Sequence, residues 1–372
     1  MGRPGGSRRP VLLVTPATRF GSWAIVEKVI RASRDRLAWT IVSFGRPRSA
    51  IEDVEFISLP EPGDYARLSR LLARRRLLWL NALFVLPLAP VTWYAAVRHR
   101  TRMIAANGVA AMAMALPLRL LGVRIVLLWN GYIGHAGPLV QRVARAVLRF
   151  ADAAVVNSPG SADDLATVLD RARIQVVPHW AHPVFFATSL ERPDRGRLEI
   201  LFVGRLDDEK FAQCLRVCRS LASRGLVGLT SVGSGPLEDE VHGPGLRHLG
   251  YVSDLAELAA RYHEADVVWA PADVTYLSVP GVEGLASGCA LVVSDVPAVE
   301  AHAALGSRVP ASLVPAPLGI VVDGTDDRSA EAAVAALAET GVSAAVREQC
   351  RAYALERHSE RNLDVIVRLL AA

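Results

Sequence analysis

Two short stretches in the second half of the chain hold residue types that could do chemistry together. In "LFVGRLDDEKF", residues 201–211, an apolar run ends at Gly204 and is followed by Arg205 and Lys210. Two cations on one loop at the carboxyl end of a strand suit a diphosphate, since Arg forks two oxygens and Lys adds a compact charge. Asp207, Asp208 and Glu209 stand between them, and the same loop could instead be a solvated network of surface ion pairs. In "VTYLSVPGVEGLASG", residues 274–288, Glu283 is the one carboxylate among apolar, small and hydroxylic neighbours. Proline is tolerated in a helix's first turn, so a helix is expected to begin near Pro280. Amides from Ser278 to Val282 would then face an anion. Glu283 is expected in that first turn, where it would accept from the two hydroxyls of a ribose or simply complement the helix dipole.

The elements that must position these residues alternate strand and helix. "VLLVT" (11–15), "WTIVSF" (39–44), "VEFISL" (54–59), "MIAANG" (103–108), "VRIVLLW" (123–129) and "AAVVNS" (153–158) read as strands. Ser22–Arg34 and Leu139–Arg149 read as amphipathic helices between them. The pattern restarts after a Pro- and Arg-bearing connector at 182–197, with strands expected at 198–204, 228–233, 246–252, 266–271, 290–295 and 319–322. Alternation of this kind means parallel sheets wrapped by helices, and ligands in such sheets bind at the carboxyl ends of strands. Two Rossmann-like α/β/α domains facing across a cleft are therefore expected.

The 372 residues suit two domains, and about half of them are hydrophobic, which excludes a disordered chain. Cys214 and Cys218 are four apart on a predicted helix and lack companions for a tetrahedral site, so neither a metal centre nor a disulfide framework is expected. "GSGPLE" (233–238) lacks the third glycine of a dinucleotide fingerprint, and no P-loop, H-E-x-x-H or G-x-S-x-G occurs. Residues 1–190 contain 25 Lys+Arg against 11 Asp+Glu, a balance of +14, whereas the remainder balances to −9. A basic first half suggests an anionic partner, phospholipid or nucleic acid, or else is an Arg-rich composition without a partner; without a helix-turn-helix, OB or RRM context, nucleic acid is the weakest candidate.

"LLWLNALFVLPLAPVTWYAAV", residues 77–97, is uncharged and flanked by arginines. It is long enough to span a bilayer, but a span there would separate the first strands from their sheet, and Pro87 and Pro90 are expected to break it into two pieces. It is either a buried helix or a bend dipping Trp79, Phe84, Leu86 and Trp93 into a membrane interface, the reading its basic flanks favour. The apolar run "VLLV" is too short for a signal peptide, so a cytoplasmic protein is expected, peripheral on the inner face of the membrane.

"FVGRLDDEK", "VGSGPLEDEV", "LGYVSDLAELAARYHEADVVWAP" and "VPGVEGLASGCALVVSDVPAV" follow one another over about 198–297. In this order they resemble the nucleotide-sugar domain of GT-B glycosyltransferases of the retaining family-4 type. "FADAAVVNSPGSADDL" and "IQVVPHWAHPVFF" resemble the last part of that family's N-terminal domain and its connector, and "YALERHSERNLDVIVRLL" its C-terminal helix, which crosses back to the first domain. The resemblance implies an acceptor-binding domain over 1–183, with 355–372 packing on it, and a nucleotide-sugar-binding domain over 196–354. It places Arg205 and Lys210 at the diphosphate and Glu283 on the ribose hydroxyls. Gly204 belongs to the same loop, and Ser278 and Val279 fall where amides contact phosphate. Gly250, Tyr251 and Val252 lie where the base rests, and Gly21 where a loop nears phosphate and acceptor. Asn130 stands where a strand-end histidine is common, with His135 close enough to substitute for it. Thr275 replaces the first glutamate of the family's E-x7-E motif, at the donor sugar.

The implied reaction is metal-independent transfer of a hexose, with retention and without a cofactor, from a UDP- or GDP-sugar to a glycan or a polyprenyl- or lipid-linked acceptor, as in cell-surface polysaccharide or glycolipid assembly. A sugar-nucleotide epimerase of the same fold would share the diphosphate site but need no acceptor. A non-catalytic, membrane-associated homologue is the third reading, suggested by Thr275.

Overall fold

The computed structural model describes residues 8–17, 21–45, 51–60, 86–129, 138–192, 195–208, 210–271, 277–295 and 317–372. The chain divides into two compact units, Met1–Val177 with Leu363–Ala372, and Pro178–Asn362. Each unit is built on a parallel sheet.

The first unit runs β1 (Arg9–Ala17), α1 (Gly21–Ser33), β2 (Leu37–Phe44), β3 (Glu55–Leu59), α2 (Leu88–Arg98), β4 (Met103–Asn107) and α3 (Gly108–Ala115). A 3-10 turn at Leu116–Leu121 leads into β5 (Arg124–Trp129), α4 (Pro138–Leu148), β6 (Ala153–Val156), α5 (Pro159–Ala166) and β7 (Ile174–Val176). The sheet order is β3-β2-β1-β4-β5-β6-β7, all parallel. The central strands β4, β5 and β6 are buried on both faces, which is why they read as continuous apolar runs. β7 lies within what the sequence suggests is a connector; its "IQV" has one residue, Ile174, in the core.

The second unit follows with α6 (Pro183–Phe186), β8 (Leu198–Arg205), α7 (Ala212–Ser223), β9 (Val227–Ser234), β10 (Leu246–His248), α8 (Leu255–Glu264), β11 (Val267–Trp269), α9 (Val279–Ala286) and β12 (Ala290–Asp295). After β13 (Gly319–Asp323) come α10 (Asp327–Thr340) and α11 (Ala344–Arg357), and α12 (Arg361–Ala371) returns to the first unit. The order β10-β9-β8-β11-β12-β13 is again doubly wound. Alternation along its strands divides the core between two faces. Ile200, Phe202, Val267, Trp269 and Val292 join one cluster with α7 and α10, and Leu201, Val268, Leu291 and Val293 join another with α9 and α11. All four cysteines are buried; Cys214 and Cys218 sit in the first of these cores, 4.0 Å apart at sulfur.

Of the apolar stretch 77–97, residues 77–85, with Trp79 and Phe84, lie outside the described residues. The rest forms α2, and here an expectation is corrected. Pro90 does not break the helix, because it is the third helical residue, where its missing N–H would have had no partner in the helix anyway. Leu88, Thr92, Ala95 and Ala96 are buried, whereas Leu86, Trp93, Tyr94 and Val97 are exposed. The Trp93 Nε1–H donates to the Met114 carbonyl at 2.8 Å, so its ring is fixed to α3 by its polar edge. No described helix is long and apolar enough to cross a membrane.

Candidate functional site

In the second unit the strand order reverses between β8 and β11, and the two cationic residues leave the carboxyl end of β8 at that switch point. The loop after β8 is held by its neighbour. Gly204 and Arg205 lie opposite Gly233 and Ser234 of β9, and the Leu206 amide donates to the Ser234 carbonyl at 3.1 Å. In return the Leu237 amide donates to the Leu206 carbonyl at 3.0 Å. Gly233 must be glycine: its φ is +138°, and a Cβ there would collide with the Gly204 carbonyl. Its amide donates to the Gly250 carbonyl at 2.8 Å, joining a third strand end, that of β10. Gly204, Gly233 and Gly250 are thus brought together in a row along one edge of the sheet. The sequence reading selects Gly204 and Gly250 but misses Gly233, whose need appears only once β8 and β9 are in register.

On this frame Arg205 is exposed and its Nε–H pairs with Asp207, so one of the surface ion pairs considered from the sequence forms. Asp207 also accepts from the Lys210 amide at 2.9 Å, while its carbonyl accepts from Phe211 at 2.9 Å, which closes the turn. The Lys210 ammonium is exposed and has no ion partner among the described residues. Asp207 therefore works as the brace of the loop, and the cations differ: Lys210 is uncommitted, whereas Arg205 would have to share its guanidinium with an incoming anion. Phe211 turns inward and is fully buried, its ring 4.6 Å from that of Phe202.

α9 follows β11 on the other side of the switch point and begins near Pro280, as expected. Ser278 is the N-cap, Val279 the first helical residue, and Pro280 falls within the first turn. The Ser278 hydroxyl accepts from the Gly281 amide at 3.4 Å and its carbonyl accepts from Val282 at 3.0 Å. Pro280 has no amide proton. The expected row of five amides is thus reduced to two, Ser278 and Val279, for which no described residue is an acceptor. Glu283 is the fifth helical residue rather than a first-turn one, so dipole compensation does not account for it. It is 4% exposed, and the Tyr262 hydroxyl on α8 donates to its Oε2 at 3.1 Å. Burial, reinforced by the Glu283 charge, pushes the Tyr262 phenol well above its ordinary range, which keeps that proton in place as a donor. Sequence reasoning misses Tyr262; its phenol is the polar tip of a helix face that otherwise reads as core.

Tyr251 is exposed in the loop after β10, while Val252 packs on the core beneath it. Asp254 then caps α8 by accepting from the Glu257 amide at 2.8 Å. In the first unit Gly21 is the first residue of α1. Asn130, His135 and Thr275 lie outside the described residues. Among the described residues no group of three or more His, Cys, Asp or Glu could hold a metal ion.

Two doubly wound parallel sheets, the second with cations and a helix start flanking its switch point, are of the GT-B class of fold. Residues 197–339, most of the second unit, match the family model "Glycosyl transferases group 1", in line with the resemblance drawn from the sequence. No curated protein sequence matches the chain. Among solved structures it is similar to sucrose-phosphate synthase from Thermosynechococcus elongatus, at a TM-score of 0.72 and 15% identity, with 98% of each chain covered. It is also similar to Anabaena HepE in complex with UDP and glucose, with a TM-score of 0.69, 15% identity, and 97% of this chain and 99% of that one covered. A third is the alpha,alpha-trehalose-phosphate synthase (UDP-forming) from Burkholderia vietnamiensis, with a TM-score of 0.66, 15% identity and 98% of each chain covered. At these identities the likeness shows the fold.

Proposed function

We propose that the protein is a retaining glycosyltransferase that takes a hexose from a nucleoside-diphosphate sugar, UDP- or GDP-linked, and delivers it to a glycan or lipid-linked acceptor. The reading rests chiefly on the group 1 match over 197–339 coinciding with the switch-point cluster of Lys210, Arg205 and the Ser278–Val279 amides. The demanding step in such a transfer is the growth of negative charge on the departing diphosphate as the anomeric C–O bond breaks. Lys210 and Arg205 would neutralise it, and the two amides at the start of α9 would add oriented dipoles that need no reorganisation. Glu283, held by Tyr262, would accept from the ribose hydroxyls and fix the nucleoside. Gly21, Asn130, His135 and Thr275 are proposed for the acceptor and donor-sugar side, and Gly250, Tyr251 and Val252 for the base. The UDP of HepE favours testing UDP first. The basic first unit would bring the enzyme to an anionic membrane carrying a lipid-linked acceptor, a setting that fits cell-surface polysaccharide or glycolipid assembly.

A thermal-shift panel of UDP-, GDP- and ADP-sugars tests the donor, since ligand binding to the folded state raises its melting point by mass action. One nucleotide class is expected to stand out. Lys210→Ala should then lower transfer by about 10²–10³-fold, the usual cost of removing one group that stabilises transition-state charge, with its circular dichroism unchanged. If no nucleotide shifts the melting point, or if Lys210→Ala turns over normally, the assignment fails.

A further inference from the structure

The first unit carries a second charged feature, at the opposite ends of its strands. Between Asp64 and Asp152 the chain contains thirteen arginines and no carboxylate. Three turns from that span enter the neighbouring parallel strands β4, β5 and β6, so all three lie at one edge of the sheet. Backbone hydrogen bonds tie them side by side, from the Arg124 amide to the Arg102 carbonyl at 2.9 Å and from the Asp152 amide to the Ile125 carbonyl at 2.9 Å. The crests of these turns are apolar and exposed: Leu120 by 90%, Leu121 by 68%, Val97 by 65% and Phe150 by 40%.

Around the crests stand Arg100, Arg102, Arg124 and Arg149, all exposed and without an ion pair to any described residue. Arg149 lies over the Phe150 ring at 4.7 Å. The one carboxylate in the three turns, Asp152, is already engaged by Arg119 at 2.8 Å and by the Ile125 amide at 2.7 Å, so it offsets little of this charge. Leu120 and Leu121 have no core to serve. The core side of their turn is taken by Leu118, which is buried, and Gly122 with φ +76° then reverses the chain.

We infer that this edge, the turns at 97–102, 119–124 and 148–152, is a docking surface for an anionic lipid bilayer. Guanidinium groups would fork onto lipid phosphates while the apolar crests enter the headgroup boundary. A bilayer is the occupant that uses both features. A nucleic acid would engage the arginines and leave four apolar crests against water. The inference goes beyond the proposed acceptor chemistry: Gly21 follows the carboxyl end of β1, whereas this edge lies at the amino ends of the strands and would hold the protein on a membrane without forming the acceptor site. Its test makes no use of the transfer reaction.

Sedimentation of the full chain with vesicles of phosphatidylglycerol and phosphatidylcholine, against phosphatidylcholine alone, reads the binding directly. Binding is expected only with the anionic vesicles, and it should weaken as salt rises. Arg100→Glu with Arg124→Glu should reduce partitioning by ~30-fold or more, at about fivefold for each arginine near such a surface. Leu120→Glu with Leu121→Glu should weaken it strongly without altering the fold, because neither residue is packed. Arg328→Glu on the exposed face of the second unit changes the charge as much as the leucine pair does, and as a control it should change binding less than about twofold. The arginine variants should also keep the UDP-induced melting shift, so loss of vesicle binding and loss of the nucleotide reading are separable. Absence of sedimentation with anionic vesicles overturns the inference. So does binding that ignores the leucine variants, or equal competition by a duplex DNA of similar charge, which would mark a polyanion site instead.

Discussion

At the scale of single residues, Glu283 is an acid that needs a reason to be buried. Its position in the second turn of α9 removes the dipole as that reason, and the Tyr262 hydroxyl donates to it in the core. If that acceptor serves a ribose, Tyr262→Phe loosens the carboxylate without removing it. Losing one donor to a buried charged group costs about 1–3 kcal/mol, and part of that should appear as weaker nucleoside binding. Calorimetry with UDP and with 2′-deoxy-UDP separates the roles. The expected result is a drop of about fivefold or more for UDP on Tyr262→Phe and a much smaller one for the deoxy ligand. Equal losses for both would leave Tyr262 and Glu283 as a core pair with no part in ribose recognition. Lys210 and Glu283 are legible in the sequence because a cation after a strand and a lone acid after a prolyl helix start stand out locally. Tyr262, twenty-one residues away, is legible only once α8 and α9 are packed.

At the scale of elements, the position of α9 depends on how closely it lies on β11. A Cβ at Gly284 would come within 2.6 Å of Val268 Cγ2, so the helix can rest on its strand only with glycine there. Alanine would favour the helix by about 1 kcal/mol in isolation, yet overpacking of a tight core costs about 1–3 kcal/mol, and the second effect should win. Gly284→Ala is therefore expected to lower the denaturant midpoint, and Val268→Ala in the same chain to recover part of the loss. A double-mutant cycle showing no coupling between the two would refute this packing account. The strands around α9 are readable in advance because fully buried parallel strands are apolar runs: "ALVVSD" is β12 from end to end. The start of α9 near Pro280 is legible too, and the serine cap before it sets the first turn. β7 escapes notice since three residues with a single core side chain leave no period to detect, and the Gly204–Gly233 contact belongs to register, which no local pattern encodes.

At the scale of the whole molecule, the chain passes between its two units twice, near 177–178 and near 362–363, and within the second unit these passages are tied to each other. The Ala181 amide donates to the His358 carbonyl at 2.9 Å, and Asn362 Nδ2 donates to the Pro178 carbonyl at 3.2 Å. The His358 Nδ1–H donates to the His179 carbonyl at 2.7 Å. His358 is buried between α11 and α12, with the Tyr353 ring 5.8 Å away. Burial lowers its pKa below the ordinary 6.5; the His179 carbonyl works against the shift and Arg357 with it. The sign of the consequence follows from which state takes up the proton. Above about pH 6.5 the imidazole is neutral whether the chain is folded or not, and its contribution to stability is complete. As the pH falls from there toward the lower folded pKa, the unfolded chain binds a proton that the folded chain refuses, so stability declines. Melting temperatures between pH 7.5 and 5 should therefore fall more steeply for the wild type than for His358→Asn, whose side-chain amide can still donate to His179 but does not titrate. Other histidines titrate in the same window, so the difference between the two curves carries the result. Parallel curves would mean that the passage between units is not the acid-sensitive point of the fold. A steeper wild-type curve would place it at His358, where α11 ends and the chain turns back toward its first unit.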